Sequence, residues 1–106
     1  MNNIKKSIHH YNEKNKFDGE GELVIEYLNG DKEWFKNGER HRENGPAIEW
    51  KNGDKFWYKN NKLHREDGPA KEFVNIKNQY WYNGIHYSQI KTDEEWIRFI
   101  KPMVFQ

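Results

Sequence analysis

The residues best suited to chemistry form a short string that occurs twice, as His41-Arg42-Glu43 and as His64-Arg65-Glu66. Histidine and glutamate can exchange protons or bind a metal ion, and arginine can bind a phosphate or a carboxylate. A third copy begins at His86, but neither arginine nor glutamate follows it. The residue types of the string are therefore compatible with three kinds of site: a metal centre, an acid–base pair and an anion-binding row.

The distance between the two copies argues against a metal centre. Equivalent residues of adjacent units would lie two strands apart in a sheet, roughly 9–10 Å at about 4.8 Å per strand. A metal ion needs ligand atoms within about 2 Å, so the histidines cannot share one ion. We expect histidine and arginine to bond the backbone of their connection, and glutamate to pair with arginine. The alternative is a row of donors that binds a phosphate or carboxylate. It would consist of His41, His64, Arg42 and Arg65.

Other catalytic arrangements are missing from the sequence. It contains no cysteine, which excludes disulfides, thiolate catalysis and cysteine-ligated zinc. Its only serines are Ser7 and Ser88, and no Ser-His-Asp set, glycine-rich phosphate loop or DNA-binding motif occurs. We therefore expect no enzymatic activity, no cofactor and no metal ion.

The two strings belong to a 23-residue unit that is written twice between Asn29 and Phe73. An eroded third copy follows at Tyr80 to His86, and a partial copy precedes at Ile25 to Leu28. Self-similarity at a fixed period is typical of repeat proteins, in which each unit packs on its neighbours.

Each unit predicts two short strands. Asn29-Gly30 and Asn52-Gly53 indicate tight hairpin turns, which we expect to be type I′. Because every connection is short, neighbouring strands should pair antiparallel. The predicted fold is a mainly β, antiparallel meander of hairpin repeats, a single twisted sheet that can roll into a trough. An alternative makes Glu39 to Glu43 a third short strand of the unit. The predicted strands are Glu22 to Leu28, Asp31 to Lys36, Ala47 to Lys51, Asp54 to Lys59, Pro69 to Val74 and Asn78 to Tyr82.

The end of the sequence predicts a capping helix. Thr92 and Glu95 have the spacing of a capping box, and apolar residues then recur at helical spacing up to Ile100. We expect Pro102 to stop this helix near Lys101 and the helix to pack on the last strands. The chain then reads as one domain. It comprises a polar arm or weak strand (1–16), the repeats (17–87), and the capping helix with its tail (88–106).

Bulk composition limits the classes of partner. The chain has 106 residues and a net charge of +1, so its overall electrostatic field favours neither nucleic acid nor an anionic membrane. The longest apolar runs, such as Leu23-Val24-Ile25, have three residues, so we expect no transmembrane helix and no membrane partner, and we expect a cytoplasmic protein. Aromatic residues make up 16% of the chain and supply the burial that its few aliphatic residues cannot.

Strand alternation predicts two aromatic ladders on opposite faces of the sheet. The tryptophan ladder is expected to be structural, because tryptophan buries the most area, and the other to be a recognition surface. In the alternative, one ladder forms the core and sheet curvature with lysine stems partly shields the other. The structural ladder would be Trp34, Trp57 and Trp81, and the recognition ladder Phe35, Tyr58 and Tyr82.

The segment from Trp57 to Ala70 resembles the variant family of MORN repeats (membrane occupation and recognition nexus), whose unit also has about 23 residues. The Arg-Glu-Asp-Gly-Pro-Ala part, Arg65 to Ala70 here, is specific to that variant. Asn61 in place of glycine, and a third unit without this part, depart from its pattern. The resemblance covers about Glu22 to Tyr87 and implies β-hairpin repeats with a non-enzymatic interaction role. Similar repeats occur in phage, giant-virus and bacterial proteins, some of them antitoxin components.

These observations together predict a protein-binding module, a small inhibitor of a bacterial protein of the antitoxin or phage counter-defence type. Its binding residues would be the recognition ladder with the histidines and arginines of the two strings. The alternative function is binding of a nucleotide or nucleic acid, in which aromatic rings stack on bases and Arg42 and Arg65 contact phosphates.

Overall fold

The computed structural model describes the backbone of residues 5–11 and 22–104, and the side chains from Leu23 onward. It is mainly antiparallel β-structure in a hairpin meander with one helix at the end, as the sequence predicted. The side chains of His9 and His10 lie outside the described residues. So do residues 1–4, 12–21 and 105–106, which include the end of the predicted polar arm.

The strands are short; the first full unit contains three of them, and the second contains four because its first strand is interrupted at Trp57. They are β1 (Lys5–Tyr11), β2 (Glu22–Tyr27), β3 (Lys32–Lys36), β4 (Glu39–Arg40), β5 (Ile48–Glu49), β6 (Lys55–Phe56), β7 (Tyr58–Lys59), β8 (Lys62–Leu63), β9 (Lys71–Glu72), β10 (Trp81–Tyr82) and β11 (Ile85–His86). The helix is α1 (Asp93–Val104). The short strands β4, β8 and β11 show that the three-strand alternative describes the unit.

The strands divide into one large sheet and a row of small hairpins. The large sheet has the order β1-β2-β3-β5-β6-β9, with β4 paired to the far end of β3. The pairs β7–β8 and β10–β11 form separate hairpins. Backbone bonds join successive hairpins, because Asn61 N–H donates to Arg40 O at 2.9 Å and Gly84 N–H donates to Leu63 O at 2.8 Å.

Register gives the two faces of the large sheet different chemistry. One row across the strands is largely apolar and half-buried or buried; it runs Ile25, Glu33, Ile48, Phe56, Lys71. The row beside it alternates in charge; it runs Glu26, Lys32, Glu49, Lys55, Glu72. Opposite charges directly across strands stabilise pairing, and a one-residue slip would exchange the two rows. The register is therefore fixed by both faces.

Two kinds of turn alternate along the chain. We predicted type I′ geometry for Asn29-Gly30 and Asn52-Gly53, but the structure has it at the other kind of turn. Only Gly30 has positive φ in the Asn29-Gly30 turn (103°), and its N–H donates to Tyr27 O, so this hairpin has a three-residue loop. Asn29 instead accepts the N–H of Asp31 through its side chain, which holds it outside the left-handed region. Type I′ geometry occurs at Asn37-Gly38 (φ 53° and 82°). Asn60-Asn61 and Asn83-Gly84 share it.

Hydrogen bonds align the third unit with the first two one residue differently from the predicted ladders. His41 N–H donates to Trp34 O and His64 N–H donates to Trp57 O, whereas the matching bond in the third unit joins Tyr87 to Tyr80. Tyr80, not Trp81, is therefore the equivalent of Trp34 and Trp57. The prediction aligned Trp81 with Trp34 and Trp57, and Tyr82 with Phe35 and Tyr58, and each of these two residues belongs one position later in the unit. The error arose because the prediction matched the Trp-Tyr pairs and not the Asn turns that set the register.

The helix closes the array as predicted but ends later. Glu95 N–H donates to Thr92 Oγ1 and Thr92 N–H donates to Glu95 Oε1, which completes the capping box. Pro102 does not stop the helix, which continues to Val104. Proline there removes one hydrogen bond in the last turn, while packing of Met103 and Val104 against the terminal core offsets that loss.

The terminal core joins the helix to the last strands. Trp96 is fully buried, and its indole N–H donates to Arg65 O at 3.0 Å. Its ring lies 5.4 Å from that of Tyr80, whose hydroxyl donates to Asp93 at 2.6 Å. Burial and this hydrogen bond raise the pKa of Tyr80, so the phenol stays protonated and the bond persists at physiological pH.

The type I′ assignment predicts the effect of one substitution. Gly38→Ala forces a side chain into the left-handed region, although its Cβ would meet no atom within 4 Å. We expect a loss of about 1–2 kcal/mol in the free energy of unfolding, from backbone strain alone. Urea unfolding measures it, with the exposed neighbour Glu39→Ala as the control. Equal stability of the two variants would show that this turn is not type I′.

Candidate functional site

The string of each unit lies on a connection, and the two connections enclose a cleft of about 510 Å³. We call it the connection cleft; residues 41–45 and 64–67 line its two sides, and Trp57, Tyr58 and Lys59 line the rest. Five of the seven predicted binding residues meet there. They are His41, His64, Arg42, Arg65 and Tyr58. Phe35 and Tyr82 lie outside it.

The two histidines join each unit to the next. Asn60 N–H donates to His41 Nδ1 at 3.1 Å, and Asn83 N–H donates to His64 Nδ1 at 3.0 Å. An acceptor nitrogen carries no proton, so the ring proton is assigned to Nε2, which donates to a glutamate. Both histidines are buried, at 5% and 8% exposed. Their imidazoles thus satisfy the backbone of the following type I′ turn.

The two arginines share the same main contacts, and Arg65 makes one more, to Asp67. The guanidinium carbon of Arg42 stacks 3.8 Å from the centre of the Trp34 ring, and that of Arg65 stacks 3.8 Å from Trp57. Arg65 Nη1 donates to Pro69 O at 3.1 Å and to Glu72 at 2.9 Å, and Arg42 makes the same pair of bonds one unit earlier.

Glycine beside each guanidinium allows a close approach that a side chain would crowd. A Cβ on Gly45 would lie 3.0 Å from Arg42 Cζ, and one on Gly68 would lie 3.0 Å from Arg65 Cζ. The guanidinium therefore lies against glycine on one side and tryptophan on the other. This packing accounts for the glycine that precedes Pro-Ala in both units.

The glutamates of the string have a different partner from the one expected. Glu43 accepts from His41 at 2.6 Å and Glu66 accepts from His64 at 3.2 Å, so neither pairs with the adjacent arginine. The arginines pair with Glu49 and Glu72 in the sheet. The expectation was wrong because both nitrogens of the histidine are used, one by backbone and one by carboxylate. The hydrogen bond from His41 lowers the pKa of the Glu43 carboxyl.

The other predicted aromatic residues are distributed over the hairpins. Phe35 and Tyr58 both lie 5.6 Å from the guanidinium of Arg40. Tyr82 packs 4.7 Å from the ring of His64 and lines a smaller cleft of about 270 Å³ behind it. Trp81 stacks on His86 at 4.8 Å, with an interplanar angle of 11°.

The charges that line the connection cleft balance. Its cations are Arg42, Lys59 and Arg65, and its anions are Glu43, Glu66 and Asp67. Within 23–104, no group of three or more histidine, aspartate or glutamate side chains is placed to hold a metal ion. No helix in the described part of the chain is long and apolar enough to cross a bilayer.

Two aspartates were missed by sequence reasoning, although they recur at the same period. Asp31 accepts Lys51 N–H at 2.7 Å, and Asp54 accepts Val74 N–H at 2.9 Å. Each carboxylate thus bonds the backbone of the turn one unit later. The signal was the third residue of Asn-Gly-Asp, which both units share.

Comparison of the chain with known protein families, with curated proteins and with solved structures found no match. The site is therefore interpreted from its own geometry.

The arginine stack predicts that lysine cannot replace arginine here. Arg65→Lys keeps the charge but loses the planar stack on Trp57 and the fixed set of donors. We expect a loss of about 1–3 kcal/mol in the free energy of unfolding, measured by urea titration. Lys59→Arg, in the same cleft, should change it by less than about 0.5 kcal/mol. Equal stability of Arg65→Lys and wild type would contradict the structural role of the stack.

The lowered pKa of Glu43 predicts a pH dependence. Its folded pKa lies below the ordinary value of 4.5, so the folded state binds this proton less tightly than the unfolded state. The stabilisation is complete above pH 4.5 and is lost as the pH falls through the folded pKa. The stability difference between wild type and Glu43→Gln should therefore shrink on acidification. A constant difference across that range, or the same trend in Glu39→Gln, would refute this linkage.

Proposed function

We propose that this chain is a non-enzymatic protein-binding repeat module whose partner binds in the connection cleft. The observation that carries the proposal is the composition of that cleft. It is open and charge-balanced, and it is lined by half-buried aromatic rings between the two connections. Tyrosine, tryptophan and arginine in such a setting dominate the binding energy of protein interfaces.

Tyr58 is the strongest candidate for direct contact with the partner. Its ring is half-buried and lines the cleft, while its hydroxyl has no hydrogen-bond partner among the described residues. Lys59 beside it likewise makes no hydrogen bond or ion pair in the described part of the chain. The Tyr58 hydroxyl and the Lys59 ammonium can therefore bond a partner without breaking a hydrogen bond or ion pair of the fold.

The geometry favours a polypeptide over a nucleotide. Phosphate binding would require free donors, but Arg65 already donates to Asp67, Pro69 O and Glu72. The three carboxylates of the cleft also offset its three cations, so the lining offers no net positive charge to attract a polyanion. Nucleotide binding remains the alternative function. A titration with ATP that weakens steeply with salt would support it, because phosphate contacts depend on ionic strength.

The resemblance to the MORN variant repeats supports a narrower form of the proposal. In that form the partner is a bacterial protein that the module inhibits in the cytoplasm, as an antitoxin or a phage counter-defence protein would. An inhibitor of this kind acts by binding alone and needs no catalytic group.

Affinity capture tests the proposal. The tagged full-length chain should capture one stoichiometric protein from bacterial lysate, identified by mass spectrometry. Tyr58→Ala should reduce capture about 5- to 150-fold, the range expected when a hot-spot residue worth about 1–3 kcal/mol is lost. Arg98→Ala, on the exposed face of the helix, is the matched control and should capture as wild type does.

A thermal melt must show that Tyr58→Ala is folded before capture is compared. Capture of the same protein in equal amounts by wild type and Tyr58→Ala would place the interface elsewhere. Failure to capture a stoichiometric protein from any plausible host would count against the binding function itself.

A further inference from the structure

The end of the repeat array leaves one backbone donor of the sheet without an acceptor. Trp34 N–H donates to Ala47 O at 2.8 Å and Trp57 N–H donates to Ala70 O at 2.7 Å. Tyr80 occupies the same position in the third unit, but its N–H has no acceptor among the described residues. Tyr80 as a whole is only 5% exposed, and a sheet N–H without an acceptor in the fold is unusual.

The reason lies in the path of the chain after the third hairpin. In the full units, Gly-Pro-Ala leads back into a strand that pairs with the front of the same unit, as β5 pairs with β3. The third unit has no such strand, because Ser88 to Lys91 leads directly into the helix. The Gln79 backbone pairs with Lys71 on its inner side, at 2.9 and 3.1 Å.

A cavity of about 620 Å³ lies along this edge. Residues 77–80, the equivalents of the segment that pairs with a returning strand in the full units, line one side of it, and residues between His86 and Lys91 line the other. No residue of the helix lines it. The helix covers the Tyr80 ring through Trp96 and leaves the backbone edge open.

We propose that this edge accepts an extended segment of a partner protein, which adds to the sheet as the missing strand. Unpaired sheet edges bind extended peptides through main-chain hydrogen bonds. The proposed surface is separate from the connection cleft and does not depend on the proposed function of that cleft.

The chemistry of the segment follows from the strands that fill the same place in the full units. Ala47 and Ala70 are 0% exposed, so a small residue fits opposite Tyr80, with its carbonyl accepting the Tyr80 N–H. The formally charged residues that line the cavity are Lys77 and Lys91. The segment should therefore carry net negative charge as well as a small residue at the pairing position.

The chain supplies its own probe for this surface. A capped heptapeptide with the sequence of residues 44–50, which has one negative charge, carries the Gly-Pro-Ala strand of the first unit. It is titrated into the isotopically labelled full-length chain while amide exchange is followed by NMR. Exchange at Tyr80 should slow at least tenfold at saturation, while that at Trp57 stays unchanged because its N–H is already bonded.

Three controls sharpen the experiment. A scrambled heptapeptide and one with lysine in place of its glutamate should each bind at least tenfold more weakly. Lys77→Glu should weaken binding of the parent peptide several-fold. Tyr58→Ala, in the connection cleft, should leave the peptide affinity unchanged, which separates this surface from the proposed function.

Three results would overturn the inference. One is an exchange rate of the Tyr80 amide that does not change at about 1 mM peptide, because any dissociation constant would then lie above the millimolar level. Another is equal affinity for the scrambled peptide. The third is protection of Tyr80 that rises with protein concentration alone, since the edge would then pair with a second copy of the chain and not with a partner segment.

Discussion

The structure depends on one constraint: the backbone of each connection and turn must find hydrogen-bond partners in a chain that is only 34% hydrophobic. Side chains of the repeat supply those partners, either within the unit or from one unit to the next. The His41 ring accepts the N–H of Asn60, the Asp31 carboxylate accepts that of Lys51, and Arg42 donates to Pro46 O. Because each bond joins one unit to a fixed place in the same or the next unit, polar side chains here perform the work that an apolar core performs in larger domains.

The arginine stack shows how three residue types become interdependent. The guanidinium needs the tryptophan face for its stack and the missing Cβ of glycine for its approach, and it needs a sheet glutamate for its charge. Removal of any one leaves the other two with a gap, a clash or an unpaired charge. Such coupling explains why Trp57, Arg65 and Gly68 recur together at the same spacing as Trp34, Arg42 and Gly45.

The sequence predicted the repeat, the hairpin meander and the capping box, because each follows from local chemistry at fixed spacing. It failed where a choice depends on contacts between units. The Asn29-Gly30 turn looked like a type I′ turn, yet Asp31 and Asn29 form a side-chain turn that favours a longer loop. Trp81 was placed in the wrong ladder because a Trp-Tyr pair is a weaker register marker than the asparagine with positive φ. The connection cleft joins residues 23 positions apart, and only the hairpin-to-hairpin contacts bring their side chains together.

These contacts also separate residues that build the unit from residues that are free to differ. A side chain that repeats at the period and has all its bonds inside the array serves every unit equally, as His41 and His64 do. Specific recognition needs a single arrangement, so it must come from positions where the units differ. Tyr58 replaces Phe35 and adds a hydroxyl that the fold does not use. In this protein the two full units thus act as internal controls for each other: residues that they share hold the units together, and two that distinguish the second unit, Tyr58 and Asp67, line the connection cleft.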